Sequence, residues 1–175
     1  MGRIIITKSE ALEVIRSRNV FGCEFLAELM NDEEIVYGYS KILGLNFSKA
    51  SIRLRNDREF VLRVLKVSSC AFLYIGDSLC NKDFILEAVK VNPDVLTFVS
   101  NKFKADKDIV LEAVRQKGGL LRHASAELKA DKDVVLTAVK NNKNSLCWAS
   151  YELMHNEEFL KEISFVPTIP VMSAC

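Results

Sequence analysis

The stretch Asp131-Lys132-Asp133-Val134-Val135-Leu136-Thr137-Ala138-Val139-Lys140 decides the fold, because the chain repeats it. It recurs upstream as Asp106-Lys107-Asp108-Ile109-Val110-Leu111-Glu112-Ala113-Val114-Arg115, and a further copy begins Asn81-Lys82-Asp83-Phe84-Ile85-Leu86. Fainter copies start at Asp57, Asp32 and Thr7, and a truncated last copy starts at Asn156. The starts 7, 32, 57, 81, 106, 131 and 156 step by 25 residues, with a single step of 24. A fixed period of this size marks a repeat architecture in which each copy is one supersecondary unit.

Each unit reads as two short helices. The first opens on Asp, Asn or Thr, whose side chain accepts a hydrogen bond from the free N–H groups of the first turn. An acid usually follows two residues later (Glu34, Glu59, Asp83, Asp108, Asp133, Glu158), at the positive end of the helix dipole. A cation closes the helix at Arg16, Lys41, Lys66, Lys90, Arg115 and Lys140. The apolar residues between them cover more than half of the circumference, so neighbours must bury the helix on several sides.

The second helix carries apolar residues at i, i+3 and i+7: Leu96/Val99/Phe103, Leu121/Ala124/Leu128 and Leu146/Ala149/Leu153. Ser100, Ser125 and Ser150 follow the middle position and are expected to let a neighbouring helix approach closely. Asn92-Pro93, Gly118-Gly119 and Asn142-Lys143-Asn144 join the two helices, the glycines being expected to supply the turn. A hairpin of this length cannot close a core alone, whereas stacked copies can. The expected fold is therefore all-α, an α-solenoid of stacked helix-turn-helix repeats forming a single domain over residues 1–163, followed by a tail at 164–175.

The composition agrees. Lys+Arg 24 against Asp+Glu 23 gives a formal net charge of +1, and 49% of residues are hydrophobic. That balance argues against disorder and against a strongly cationic nucleic-acid binder. The five cysteines (Cys23, Cys70, Cys80, Cys147, Cys175) are odd in number and lack C-x-x-C spacing, as befits small hydrophobes in a reducing, cytoplasmic compartment. With only His123 and His155 beside them, no zinc ligand set is apparent, and no cofactor is expected. No window approaches the ~20 apolar residues of a membrane span.

The string (D/N)-K-D-(V/I/F)-(V/I)-L-x-A-V-(K/R), followed in its best copy by Leu121-Arg122-His123-Ala124-Ser125-Ala126-Glu127-Leu128, resembles the short helical repeat of domain-of-unknown-function family 4116. The match is sharp from Asn81 to Leu153 and fades towards Tyr37-Gly38-Tyr39, which departs from L-x-A. The resemblance implies a helical repeat protein of the kind found in protists and in intracellular bacteria, Legionella-like effectors among them, with no assigned catalytic residues. Glu152, Glu157, Glu158 and Glu162, followed by a tail ending Val171-Met172-Ser173-Ala174-Cys175, look like a type IV secretion signal; against this, Glu158 stands where Asp133 and Asp108 stand, as a first-turn acid.

Positions that vary between repeats line up as ladders. One carries Tyr74, Phe98, His123 and Trp148, continued by Lys49 and Glu24 and flanked by Arg122. Aromatic residues dominate binding hot spots, so this row is the candidate contact strip for a partner protein; the competing reading packs the rings between repeats. The basic row from Arg16 to Lys140 is expected to neutralise helix C-termini and to pair with acids three residues earlier, as in Glu87–Lys90 and Glu112–Arg115. Together the two ladders admit a second function, single-stranded nucleic-acid binding, which a net charge of +1 disfavours. A third, a cysteine-dependent enzyme, rests on Cys147 and His123, one residue out of register and with no third group to orient the histidine. Pro167-Thr168-Ile169-Pro170 matches a minimal P-x-x-P ligand, which a helix-stopping tail explains equally well. The expected role is a non-catalytic protein-binding module, in one version a bacterial effector.

Overall fold

The computed structural model describes residues 3–5, 7–20, 23–42 and 44–164. Two short strands, β1 (Arg3–Ile5) and β2 (Cys23–Phe25), flank the helix α1 (Lys8–Arg16). There follow α2 (Glu33–Ile42), α3 (Ile52–Asn56), α4 (Arg58–Leu65), α5 (Lys82–Val91), α6 (Asn101–Lys104), α7 (Lys107–Gln116), α8 (Ala126–Lys129), α9 (Lys132–Asn141), α10 (Tyr151–Met154) and α11 (Glu157–Ser164). Turns of 3-10 helix connect them. The protein is an all-α array of helical repeats that divides into two compact units, Met1–Phe84 and Ile85–Cys175.

The first helix of each repeat forms as its sequence dictates. In α9 the Asp131 carboxylate accepts from the N–H groups of Asp133 and Val134 at 3.0 and 3.1 Å. Asp106 does the same for Asp108 and Ile109 at the start of α7. Val134, Val135, Ala138 and Val139 are buried, as are Ile109, Val110, Ala113 and Val114 of α7 and Phe60, Val61, Val64 and Leu65 of α4. Two adjacent residues per turn point inward, so each helix is covered on two sides. Full burial of a valine, leucine or isoleucine contributes about 1.5–3 kcal/mol, so these quartets are a large part of what holds the repeats together.

The second half of the repeat differs from the expected single helix. It consists of a 3-10 turn, a bend and one turn of α-helix. In the copy that starts at Asp106 the 3-10 turn spans Gly118–His123, Ala124 and Ser125 are extended (ψ 158° and 163°), and α8 follows. Ser125 is therefore an N-cap that accepts from Leu128 N–H at 3.4 Å, and Ser150 caps Leu153 N–H at 3.3 Å. These serines start helices. The bend exposes a backbone donor that the preceding repeat takes up. Ser125 N–H bonds Lys104 C=O at 2.9 Å, and Ser150 N–H bonds Lys129 C=O at 2.8 Å. In the N-terminal unit Ser51 N–H meets Met30 C=O at 2.9 Å, and Gly76 N–H meets Arg55 C=O at 2.8 Å. Each bond spans 21 residues, so one backbone staple recurs at a fixed register.

Side chains add a second tie. Asn141 Nδ2 donates to the carbonyls of Arg115 and Gln116, and its Oδ1 accepts from Gly118 N–H at 2.8 Å. One carboxamide thus satisfies the end of α7 and the start of the following turn from the next repeat. Gly118 is buried, and a Cβ there would stand 2.3 Å from Ala138 O and 2.8 Å from Ser145 Oγ. The Gly118-Gly119 pair was expected to provide turn freedom; what Gly118 provides is room, and neither glycine has the left-handed φ that would need its flexibility.

The first copy is modified most. Thr7 and Glu10 form a reciprocal capping box on α1. Where later repeats have a 3-10 turn, this one has β2, paired in parallel with β1 in register Ile4↔Glu24. The crossover that parallel pairing requires is α1 itself. Glu24, placed by the sequence at the end of the ladder, lies on this strand instead.

Candidate functional site

In the C-terminal unit, the turns that carry the ladder pack one on the next: Pro93–Thr97 against Gly118–His123, and Gly118–His123 against Lys143–Trp148. Each presents one ring near its end. Phe98 follows the first turn, its N–H donating to Val95 C=O at 2.9 Å; His123 and Trp148 close the other two. The common register is thus real, but exposure along it is uneven. Phe98 and His123 are half-buried, whereas Trp148 is 43% exposed. Phe98 and His123 are thus partly covered, and Trp148 is the rung that reaches solvent.

The sequence reading missed Tyr151, the first residue of α10 and 69% exposed. Its ring lies 4.0 Å from that of His155, whose Nδ1 sits 2.8 Å from the Tyr151 carbonyl. Asn101 and Ala126 occupy the same position in the two preceding repeats, so no ladder signals it.

His123 Nε2 accepts a hydrogen bond from Arg122 Nε at 2.8 Å, which leaves the ring proton on Nδ1. Burial, then the positive charges of Arg122, Lys104 and Lys129, hold its pKa below 6.5, with Asp94 opposing weakly. The Cys147–His123 pairing raised by the sequence therefore meets a histidine whose basic nitrogen is already engaged by a guanidinium. Lys117 closes the near edge by donating to both oxygens of Asp94, at 2.8 and 3.0 Å.

The other candidate residues belong to the N-terminal unit. Tyr74 closes the turn Ser69–Tyr74 and is half-buried, and Lys49 ends the turn Gly44–Lys49 in full exposure. These two turns also pack on each other. Beside Tyr74, Leu73 is 54% exposed. The same unit has an open cleft of about 340 Å³ lined by Ile15, Arg18, Gly38, Lys41 and Ile42.

The basic row behaves as the electrostatic argument requires where its partners are visible: Arg115 is exposed and bonds Glu112 at 2.9 Å on its own helix. A stronger use of lysine was not foreseen. Lys107, the middle residue of its D-K-D string, reaches Asp131 at 2.7 Å and Asp133 at 3.1 Å in the next repeat. Lys8 reaches Asp32 and Glu34 in the same way, at 2.7 and 3.4 Å. The signal was present in the lysine that follows Thr7, Asn81, Asp106 and Asp131, but for Lys8 and Lys107 the partner lies a full repeat away.

Glu157 and Glu158 occupy the first turn of α11, and Glu162 is exposed on the same helix. Pro167-Thr168-Ile169-Pro170 and the end of the chain lie outside the described residues. Among the described residues no group of three His, Cys, Asp or Glu side chains could hold a metal ion, and no helix is long and apolar enough to cross a membrane.

A family model described as Domain of unknown function (DUF4116) matches residues 32–80, 81–129, 106–154 and 131–163. Each match begins on a repeat start, and the overlapping ones are offset by one period. No curated protein and no solved structure matches the chain.

Proposed function

For a chain that belongs to the DUF4116 family, which brings no reaction with it, we propose a non-catalytic protein-binding module that uses the ring-bearing turns of its C-terminal unit. The observation that carries this reading is Trp148, a large ring held 43% exposed at the end of a packed turn, with Tyr151 at 69% three residues on. Exposed aromatic anchors on a rigid scaffold are the usual centre of a protein interface. His123 and Phe98 support them from the adjacent turns, and Arg122 supplies a charged edge. Tyr74 and Lys49 are the corresponding residues of the N-terminal unit.

An effector role, implied by the family resemblance, would make the partner a host protein, so a host-cell lysate is the sample to use. The test compares the native chain with Trp148→Ala/Tyr151→Ala as bait, both checked for helix content by circular dichroism. A protein retained by the native chain and lost by the folded variant is the expected result. A partner retained equally by both, or recovery of RNA alone, would overturn the reading.

A further inference from the structure

The charges around Trp148 narrow what the partner is. Two sets of cations contrast among the described residues of the C-terminal unit. Lys107, Arg115 and Lys117 each hold a carboxylate of this chain. Lys104, Arg122 and Lys129 hold none, and they converge. The staple from Ser125 N–H to Lys104 C=O brings the end of α6 to the corner just after His123, and that from Ser150 N–H to Lys129 C=O brings the end of α8 to the corner just after Trp148. Arg122 lies between, its Nε on His123 and the rest of its guanidinium exposed. The positive charges of all three act on the His123 ring. These three cations, none of them ion-paired among the described residues, repel one another around the His123 ring, on the turn that packs against the one carrying Trp148, and that repulsion costs folding free energy.

We propose that this face takes an acidic polypeptide segment, its carboxylates on Lys104, Arg122 and Lys129 and an apolar side chain against Trp148. The proposal rests on the protein-binding reading above and names the chemistry of the partner. A guanidinium with free N–H groups suits a planar carboxylate, and two flanking ammonium groups suit its neighbours in an extended chain. A nucleic acid fits less well. Single-strand binders present successive stacking rings along a continuous positive track. Here Phe98 and His123 are half-buried, so Trp148 is the one exposed ring of the three. The track is also interrupted by the exposed carboxylates of Glu127 and Glu152.

The test is fluorescence anisotropy on the full chain with three labelled probes: a short peptide alternating glutamate and leucine, its glutamine counterpart, and an oligouridylate of similar length. The acidic peptide is expected to bind, and to do so at least about tenfold more tightly than the glutamine peptide, the scale of a few rim charge contacts. Lys104→Glu/Arg122→Glu/Lys129→Glu is expected to abolish that difference while helix content stays native. Should the triple variant fail to fold, Lys104→Gln/Lys129→Gln, which keeps the Arg122–His123 bond, is expected to weaken the acidic peptide selectively. Equal binding of both peptides, no binding of either, or tighter binding of the oligouridylate overturns the proposal. A lysate partner that depends on Trp148 and ignores the triple variant removes the acidic partner while leaving the protein-binding role intact.

Discussion

Lys107 Nζ stands 2.7 Å from the carboxylate of Asp131, a residue 24 positions on that caps the next repeat's first helix. Asp131 therefore serves two repeats at once, through Lys107 on one side and the N–H groups of Asp133 and Val134 on the other. Burial opposes its ionisation, but the Lys107 ammonium and those N–H groups win and hold the carboxyl below 3.8. Asp131→Ala removes both functions and is expected to cost about 1–2 kcal/mol in urea unfolding, the range of a lost N-cap. Asp131→Asn keeps an acceptor for the cap and loses only a partly exposed ion pair, so about 1 kcal/mol or less is expected. Because the folded pKa is depressed, this contribution is present above pH 3.8 and is lost as pH falls through the folded value.

Adjacent glycines are expected to respond in opposite ways. A methyl group at Gly118 would lie 2.3 Å from the Ala138 carbonyl oxygen, a backbone atom with nowhere to move. Gly118→Ala should destabilise by about 1–3 kcal/mol, as overpacking does. Around Gly119 nothing lies within 4 Å of the same position, and its φ is not left-handed. Gly119→Ala should leave stability unchanged or raise it by up to about 1 kcal/mol by restricting the unfolded chain. Equal effects of the two substitutions in thermal or chemical unfolding would refute the steric account of Gly118.

Two serines of the second half-repeat separate in the same manner. Ser145 Oγ is buried without a hydrogen-bond partner, so Ser145→Ala removes an unsatisfied hydroxyl and should be neutral or stabilising by up to about 1 kcal/mol. Ser125 Oγ caps α8, and Ser125→Ala should cost about 1 kcal/mol. Since Ser145 supplies one of the two close contacts at Gly118, adding Ser145→Ala to Gly118→Ala should recover only part of the loss. The Ala138 carbonyl remains in place, and a double-mutant cycle reads the difference.

These pairs show what the sequence makes legible. Asp106, Asp131 and Asp57 announce their helices because a cap and the helix it starts are neighbours in the chain. The triplet Leu121/Ala124/Leu128 suggested a continuous helix because its spacing fits one. The same spacing is met by a 3-10 turn, a bend at Ala124-Ser125 and a single α-turn. What selects the bend is the Lys104 carbonyl, 21 residues away, and no local period reports it. The parallel strands escaped for a similar reason, since Ile4 and Glu24 meet only across α1. At the site, the register of Phe98, His123 and Trp148 was readable from the period. Their unequal exposure was not, because it depends on which turn has another stacked upon it.

His123 couples the stability of the C-terminal unit to acidity. Its neutral ring is favoured by burial first and by Arg122, Lys104 and Lys129 next, so its folded pKa lies below the 6.5 of an unfolded chain. Between those two values the unfolded state binds more protons than the folded one, and stability falls as pH decreases. The contribution is complete above pH 6.5 and lost as pH drops through the folded pKa. Protonation also places a hydrogen on Nε2, which ends the bond from Arg122 and sets two donors face to face. An NMR titration should find the midpoint of the His123 ring resonances below pH 6.5. Arg122→Ala should bring the midpoint closer to 6.5 without reaching it, because burial, the larger cause, remains. His123→Gln should flatten unfolding stability between pH 7 and about pH 5, the span over which an ordinary histidine changes charge. A midpoint at or above 6.5 in the native chain would contradict the cluster of unpaired cations around the ring.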